Sequence, residues 1–303
     1  MSKLRVLVTG ASGFVGRNLS QYLAHSGFKV HAFAHSALDL LDADAVASKL
    51  SSIAPGIVMH CAAFGGNRKA EYYGAKNGVV SSNLRMFFNL ARSLKPGTRM
   101  IVIGSGAEYD KRRDLVKVRE DNFDEHVPAD DYGYAKYVIS KYIEKADNIF
   151  CLRIFGLYGQ YEDYTYKFIS NAIVKNLLGL PIVINQNVKF DYLWIGDFCR
   201  LVEKFIGIKP KYRHYNVTPD KSIDLLDLAR IVNVGGSSKI KVLKTGLNSE
   251  YTGDNTRLLK EIGVGGFASY EEGVRQLRRF YSARLKRLDL STVKKDPYLK
   301  LCK

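Results

Sequence analysis

Apolar positions in the first half of the chain fall into short, closed runs at residues 6–9, 29–34, 57–62, 99–104 and 149–154. These runs are rich in Val, Ile and Phe and are bounded by turn residues, which predicts buried strands. Between them, residues 16–25, 43–52, 80–94 and 134–145 carry apolar side chains at helical spacing. Strands alternating with helices predict an α/β fold with a doubly wound parallel sheet. Pro55-Gly56 and Pro96-Gly97 mark the breaks before two of the strands. The second half is less regular. It predicts helices at 168–178, 196–206, 222–232 and 270–281, and short strands at 181–185 and 193–194. The expected division is a sheet domain over residues 1–165, rejoined by 191–218, a smaller α+β domain mainly over 166–281, and a tail at 282–303.

The first strand runs into Thr9-Gly10-Ala11-Ser12-Gly13-Phe14-Val15-Gly16. Gly10 permits a tight turn, Gly13 lets the backbone approach a pyrophosphate, and Gly16 lets helix and strand pack closely. The free N–H groups and dipole of the following helix favour phosphate there. A Rossmann-type dinucleotide site is therefore expected at the start of the chain.

Composition adds limits. No apolar run approaches the roughly 18–20 residues of a membrane span, and no charged-then-apolar signal precedes the first strand. Cys61, Cys151, Cys199 and Cys302 show no paired spacing, which points to reduced thiols in a cytoplasmic protein and to no metal site. The net charge of +16 is partly gathered from Arg275 onward, where Asp289 and Asp296 are the acids against ten Lys and Arg. It is read as a solvated basic surface that draws anionic ligands rather than as a nucleic-acid site. The tail is read as a solvated or crystal-ordered extension rather than an RNA site.

Two further segments carry chemistry. In Tyr132-Gly133-Tyr134-Ala135-Lys136 the phenol and the ammonium lie four apart, on one helix face. A cation beside a phenol lowers its pKa from about 10 and makes it a usable proton donor or acceptor. A second such pair, Tyr137 and Lys141, is read as surface or core. Ser105, in Ile103-Gly104-Ser105-Gly106-Ala107-Glu108-Tyr109, follows the fourth predicted strand. Ligands of open α/β sheets bind at such carboxyl ends.

Together these elements resemble the extended short-chain dehydrogenase/reductase family, in its nucleotide-sugar epimerase, dehydratase and reductase branch. The resemblance covers about residues 4 to 281. It includes His60-Cys61-Ala62-Ala63, Asn83-Leu84, Leu152-Arg153-Ile154-Phe155-Gly156, Asp191-Tyr192-Leu193-Trp194 and Asp254-Asn255-Thr256-Arg257. It implies that Gly10, Ser12, Gly13, Phe14, Val15 and Gly16 cradle a pyrophosphate, with Ala62, Ala63 and Phe155 lining the cofactor. Tyr132 would be the acid/base, Lys136 would bind ribose and tune Tyr132, and Ser105 would be the catalytic hydroxyl. The smaller domain would bind substrate.

Departures from the family pattern narrow the chemistry. Gly106 and Ala107 stand where sugar dehydratases have Asp-Glu, and Glu108 is displaced by one and expected to point away. The short path from the second strand to Asp39-Leu40-Leu41-Asp42 is similar to that of GDP-fucose synthase and dTDP-4-dehydrorhamnose reductase, both 4-keto-sugar reductases. Ala107 and Lys167 replace the Cys and His that aid epimerisation in the former. His35 and Ser36 end the second strand without an acid, which favours NADP(H) over NAD(H), with Asp39 and Leu40 also at the cofactor. Phe190 stands where the family has a diphosphate-binding Arg. Lys189, Lys167 or Lys175 would then hold the diphosphate, and Gly106 and Ala107 would face the sugar. The expectation is an NADPH-dependent 4-keto reductase for surface-polysaccharide sugars. The alternatives are an NAD-dependent C4-epimerase and a non-catalytic nucleotide- or RNA-binding protein. Helices carrying Leu84, Phe87, Phe88 and Leu90, and Tyr137, Val138 and Tyr142, suggest a homodimer.

Overall fold

The computed structural model describes residues 3–65, 69, 77–263 and 266–299. Its first part runs β1 (Arg5–Thr9), α1 (Phe14–His25), β2 (Lys29–Phe33), α2 (Ala43–Ile53), β3 (Ile57–His60), α3 (Val79–Arg92), β4 (Arg99–Ser105), β5 (Leu115–Val118), α4 (Asp131–Ile143) and β6 (Ile149–Ile154). It continues with β7 (Leu157–Tyr158), α5 (Phe168–Leu177), β8 (Ile182–Asn187), β9 (Lys189–Phe190), β10 (Leu193–Trp194), α6 (Ile195–Gly207) and β11 (His214–Val217). The remainder is β12 (Ile223–Asp224), α7 (Leu225–Val232), β13 (Ile240–Leu247), β14 (Tyr251–Gly253), α8 (Thr256–Ile262), α9 (Tyr270–Ser282) and α10 (Leu290–Lys295).

Six strands form a parallel sheet in the order β11-β6-β4-β3-β1-β2. Every residue of β3 and β6 is buried, as expected for strands covered on both faces. One core cluster joins β1, β3, β6 and β11 to α1, α5, α6, α7 and α9. The other face of the sheet packs on α2, α3 and α4. The registers Thr9 to Phe33, Thr9 to His60 and Ser105 to Ile154 bring the carboxyl ends of the strands to one edge. The chain leaves β1 toward β2 and returns to β3 on the other side, so the turn after β1 faces the loop after β3 at the switch point of the sheet.

A second sheet, β12-β9-β14-β5, and a parallel β8–β13 pair complete the described strands with β7–β10. The strands at 115–118, 189–190, 240–247 and 251–253 lie beyond the sequence expectation. The helix expected from residue 222 begins at Leu225: Asp224 caps it by accepting the Asp227 N–H, and Ile223 and Asp224 pair with β9. Similarly α4 starts at Asp131, because Asp130 accepts the Gly133 N–H.

The tail differs from its expectation. Rather than a solvated extension, residues 285–299 lie against α5 and the loop before it, with Val293 and Tyr298 buried. The Asp289 N–H donates to the Tyr164 hydroxyl at 2.7 Å, and Tyr298 meets Tyr166 edge to face. Lys300, Cys302 and Lys303 lie outside the described residues. Among the described residues no helix is long and apolar enough to cross a membrane.

Candidate active site

The turn after β1 is built on glycine for reasons of space. Gly10 has φ +66°, and a Cβ there would sit 2.8 Å from the backbone of Ala62. A Cβ on Gly16 would lie 2.4 Å from the Gly10 carbonyl oxygen. Helix α1 therefore starts flush against the turn. Gly13 is its N-cap and offers no side chain to the first N–H groups, which leaves them for an anion. Ser12 and Gly13 are exposed, and Phe14 and Val15 are half-buried. The residues present fit a dinucleotide pyrophosphate.

Across the turn, the Thr9 hydroxyl accepts the Ala62 N–H at 3.3 Å and lies 3.1 Å from His60 Nδ1. This contact ends β3 at His60, two residues earlier than its apolar run predicts. Burial, aided by the Lys136 charge, lowers the His60 pKa to about 3, so the ring stays neutral. Burial pushes the Cys61 thiol up to about 12. Asn83 on α3 clasps the following loop, exchanging hydrogen bonds with the backbone of Phe64. Ala63 is exposed and Ala62 half-buried beside this clasp.

His35 and Ser36, past the end of β2, are exposed. His35 Nδ1 is 3.8 Å from Asp39 Oδ1. Asp39 also accepts the Leu41 N–H, and Leu40 is buried with its carbonyl held by Asn89.

Ser105 ends β4. Its Oγ accepts the Ala107 N–H at 3.1 Å. Glu108 points into the core, as expected, and its Oε1 accepts the Ser105 N–H at 2.9 Å. Its Oε2 accepts the Ser140 hydroxyl and Arg153 Nε, each at 2.6 Å. Tyr132 and Lys136 sit on the first turns of α4. Lys136 is buried and its Nζ donates to the Ile103 carbonyl at 2.7 Å, lying 5.8 Å from the Tyr132 ring centroid. The Tyr137 hydroxyl instead donates to Asp124, which also accepts from Lys141. The second Tyr–Lys pair therefore belongs to a half-exposed surface cluster.

Sequence reasoning missed Tyr251. It comes from β14, and its hydroxyl reaches the Ser105 side chain close to Tyr132. Burial raises its phenol pKa. The Phe155 ring packs between Tyr109 and Tyr251, and Phe190 packs at a tilt against Tyr251 and Tyr192. Gly106 and Ala107, expected to face a substrate, are buried; a Cβ on Gly106 would meet Phe155 and the Tyr251 hydroxyl at 2.7 Å. No spacing in the sequence links residue 251 to 105. The link arises from the pairing of β14 with β5 and β9.

The cations divide. Lys175 is buried and its ammonium is taken by Asp296, which removes it as a diphosphate holder. Lys167 is exposed at the start of α5, with its ammonium 5.6 Å from the Tyr166 ring centroid. Lys189 is half-exposed with Glu250 at 3.9 Å. Lys117, which sequence reasoning also passed over, places its ammonium 3.4 Å from the buried Asp191 carboxylate, next to Phe190.

Residues 6–218 match the NAD dependent epimerase/dehydratase family. The chain belongs to this family. A relative from Streptomyces antibioticus, a probable dTDP-4,6-dihydroxy-2-methyloxan-3-one 4-ketoreductase, is 27% identical over 208 residues, covering 68% of this chain and 67% of its own. UDP-glucose 4-epimerase from Thermotoga maritima superimposes with a TM-score of 0.80 at 19% identity, over 93% of this chain and 100% of that one. dTDP-4-dehydrorhamnose reductase from Bacillus anthracis, in complex with NADP, gives 0.75 at 21% identity, over 93% and 100%. At these identities the two structures speak to the fold. The chain is therefore an NAD(P)-dependent nucleotide-sugar oxidoreductase or epimerase.

Proposed function

We propose that this enzyme is an NADPH-dependent reductase of a 4-keto nucleotide-activated deoxysugar, acting in the cytoplasm as a homodimer in the making of surface-polysaccharide sugars. The observation that carries the reading is the state of the segment after Ser105. Gly106 and Ala107 have no proton-transfer group, and the Glu108 carboxylate is engaged by Ser105 N–H, Ser140 and Arg153. No side chain there is placed to strip a ring proton and expel water. What remains is a hydroxyl pair, Ser105 and Tyr132, at the carboxyl edge of the sheet.

The bound cofactor would supply a hydride to the sugar carbon. Tyr132 delivers a proton to the carbonyl oxygen as it becomes a hydroxyl, and Ser105 donates a hydrogen bond to the same oxygen. Lys136, held by the Ile103 carbonyl, would bind the cofactor ribose, and it places a positive charge near Tyr132. Phe155 and Tyr251 exclude water from this corner. Exposed His35 and Ser36, with no acid ending β2, suit a 2′-phosphate. Lys189, Lys117 and Lys167 supply point charges for the diphosphate where Phe190 stands in place of Arg. Relatives named as a 4-ketoreductase and as a dTDP-4-dehydro-6-deoxy-D-allose reductase support the same class. The edge of α3 and α4, where Phe88 meets the 44%-exposed Tyr142, is the proposed dimer face.

The test is to supply purified protein with 4-keto-6-deoxy sugars carried on dTDP, GDP and UDP, and to follow NADPH and NADH absorbance. The reading expects loss of NADPH, faster than NADH, with at least one of them. Retained NAD with interconversion of C4 epimers and no net reduction would replace it with the epimerase reading.

A further inference from the structure

We infer that Glu108 is a positioning residue, whose buried carboxylate locks the strand end carrying Ser105 to the helix carrying Tyr132 and Lys136. The inference rests on the reading that Ser105 and Tyr132 act on one sugar oxygen.

Ser105 and Tyr132 come from different elements, β4 and α4, and their relative position must be set by something between them. Glu108 lies there, fully buried. One carboxylate oxygen accepts the Ser105 backbone N–H at 2.9 Å; the other accepts the hydroxyl of Ser140, one turn beyond Lys136 on α4, at 2.6 Å. Gly104 leaves room for this reach, since a Cβ there would lie 2.6 Å from Glu108 Oε1.

The charge is balanced by Arg153 from β6, also fully buried, whose Nε donates to Glu108 at 2.6 Å. Its Nη1 donates to the Tyr109 hydroxyl at 3.1 Å, which in turn donates to Asn216 at 2.8 Å. The guanidinium lies 4.1 Å from the Phe123 ring centroid, and its second terminal nitrogen has no hydrogen-bond partner among the described residues. Burying both ions costs them their hydration, and an apolar pair of similar volume is often as stable. An apolar pair cannot accept the Ser105 N–H and the Ser140 hydroxyl together. Retaining the ion pair therefore makes sense as alignment rather than as stability. A displacement of about 1 Å between catalytic groups can cost about 10²-fold in rate.

The test compares the wild type with Glu108→Gln, Ser140→Ala and the charge-balanced double variant Glu108→Leu/Arg153→Met. The double variant keeps the test meaningful where Glu108→Gln, with its uncompensated arginine, fails to fold. For the folded variants the expected result is NADPH affinity and sugar KM within about threefold of wild type, with kcat reduced about 10- to 100-fold in the double variant. A smaller loss is expected in Ser140→Ala. A kcat within twofold of wild type in the double variant would overturn the inference. A crystal structure of the double variant gives a readout that needs no substrate. The Ser105 and Tyr132 hydroxyls should separate or close by about 1 Å, and unchanged positions would overturn the inference too. Wild-type inactivity on every 4-keto sugar, by contrast, would count against the reductase reading alone.

Discussion

The Tyr251 hydroxyl reaches the Ser105 side chain, although the two residues belong to strands of different sheets. Burial raises the phenol's pKa, so it stays protonated beside the Ser105 hydroxyl. Tyr251→Phe keeps the ring contacts with Phe155 and Phe190 and removes one hydrogen bond. It should lower kcat by about tenfold, the weight of one such bond, with unchanged NADPH affinity in a fluorescence titration.

Tyr132→Phe should leave cofactor binding intact and cut turnover by about 10²-fold or more. Tyr137→Phe is the control. Its hydroxyl is spent on Asp124 at the surface, so steady-state kinetics should register almost no change.

Gly16→Ala forces a Cβ to within 2.4 Å of the Gly10 carbonyl oxygen, against backbone that cannot step aside. The turn must open. Calorimetry should show a stability loss on the order of 1–3 kcal/mol, and NADPH titration a weaker cradle.

Glu162 gives a pH dependence of known sign. It is buried, accepts a hydrogen bond from Ser170, and burial raises its carboxyl to about 7 from 4.5. Between those values the folded protein binds the extra proton, so this group's contribution to stability falls as pH rises from 4.5 to 7. The loss is on the order of 3 kcal/mol. Glu162→Gln should therefore melt higher than wild type at pH 8 and like it near pH 4, in thermal scans at both pH values.

Most of the parallel sheet is legible in the sequence because its central strands are buried on both faces and read as closed apolar runs; the edge strand β11 is not. Residues 149–154 are an example, coinciding with β6 throughout. The glycine turn is legible because Gly10, Gly13 and Gly16 serve different spatial needs at fixed spacing. The small second sheet is not. Strands β9, β12 and β14 are too short for any period to show, and Tyr251 acquires its place only through their pairing. Lys175 looks like a free cation until Asp296, far along the chain, folds back onto it. The tail reads as basic and solvated because the few apolar side chains that anchor it, Val293 and Tyr298 among them, are isolated in sequence. Glu108 is read correctly as turned away, but its bonds to Ser105 and Ser140 depend on a strand–helix contact that spacing does not reveal.

The most direct measurement of the central claim follows deuterium from NADPH deuterated at both nicotinamide C4 positions during turnover of a 4-keto-6-deoxy nucleotide sugar, with the product examined by mass spectrometry and NMR. The account predicts one deuterium at sugar C4 for each NADPH consumed, and none formed at a comparable rate by Tyr132→Phe. An unlabelled sugar product, or exchange between C4 epimers without NADPH consumption, would contradict it.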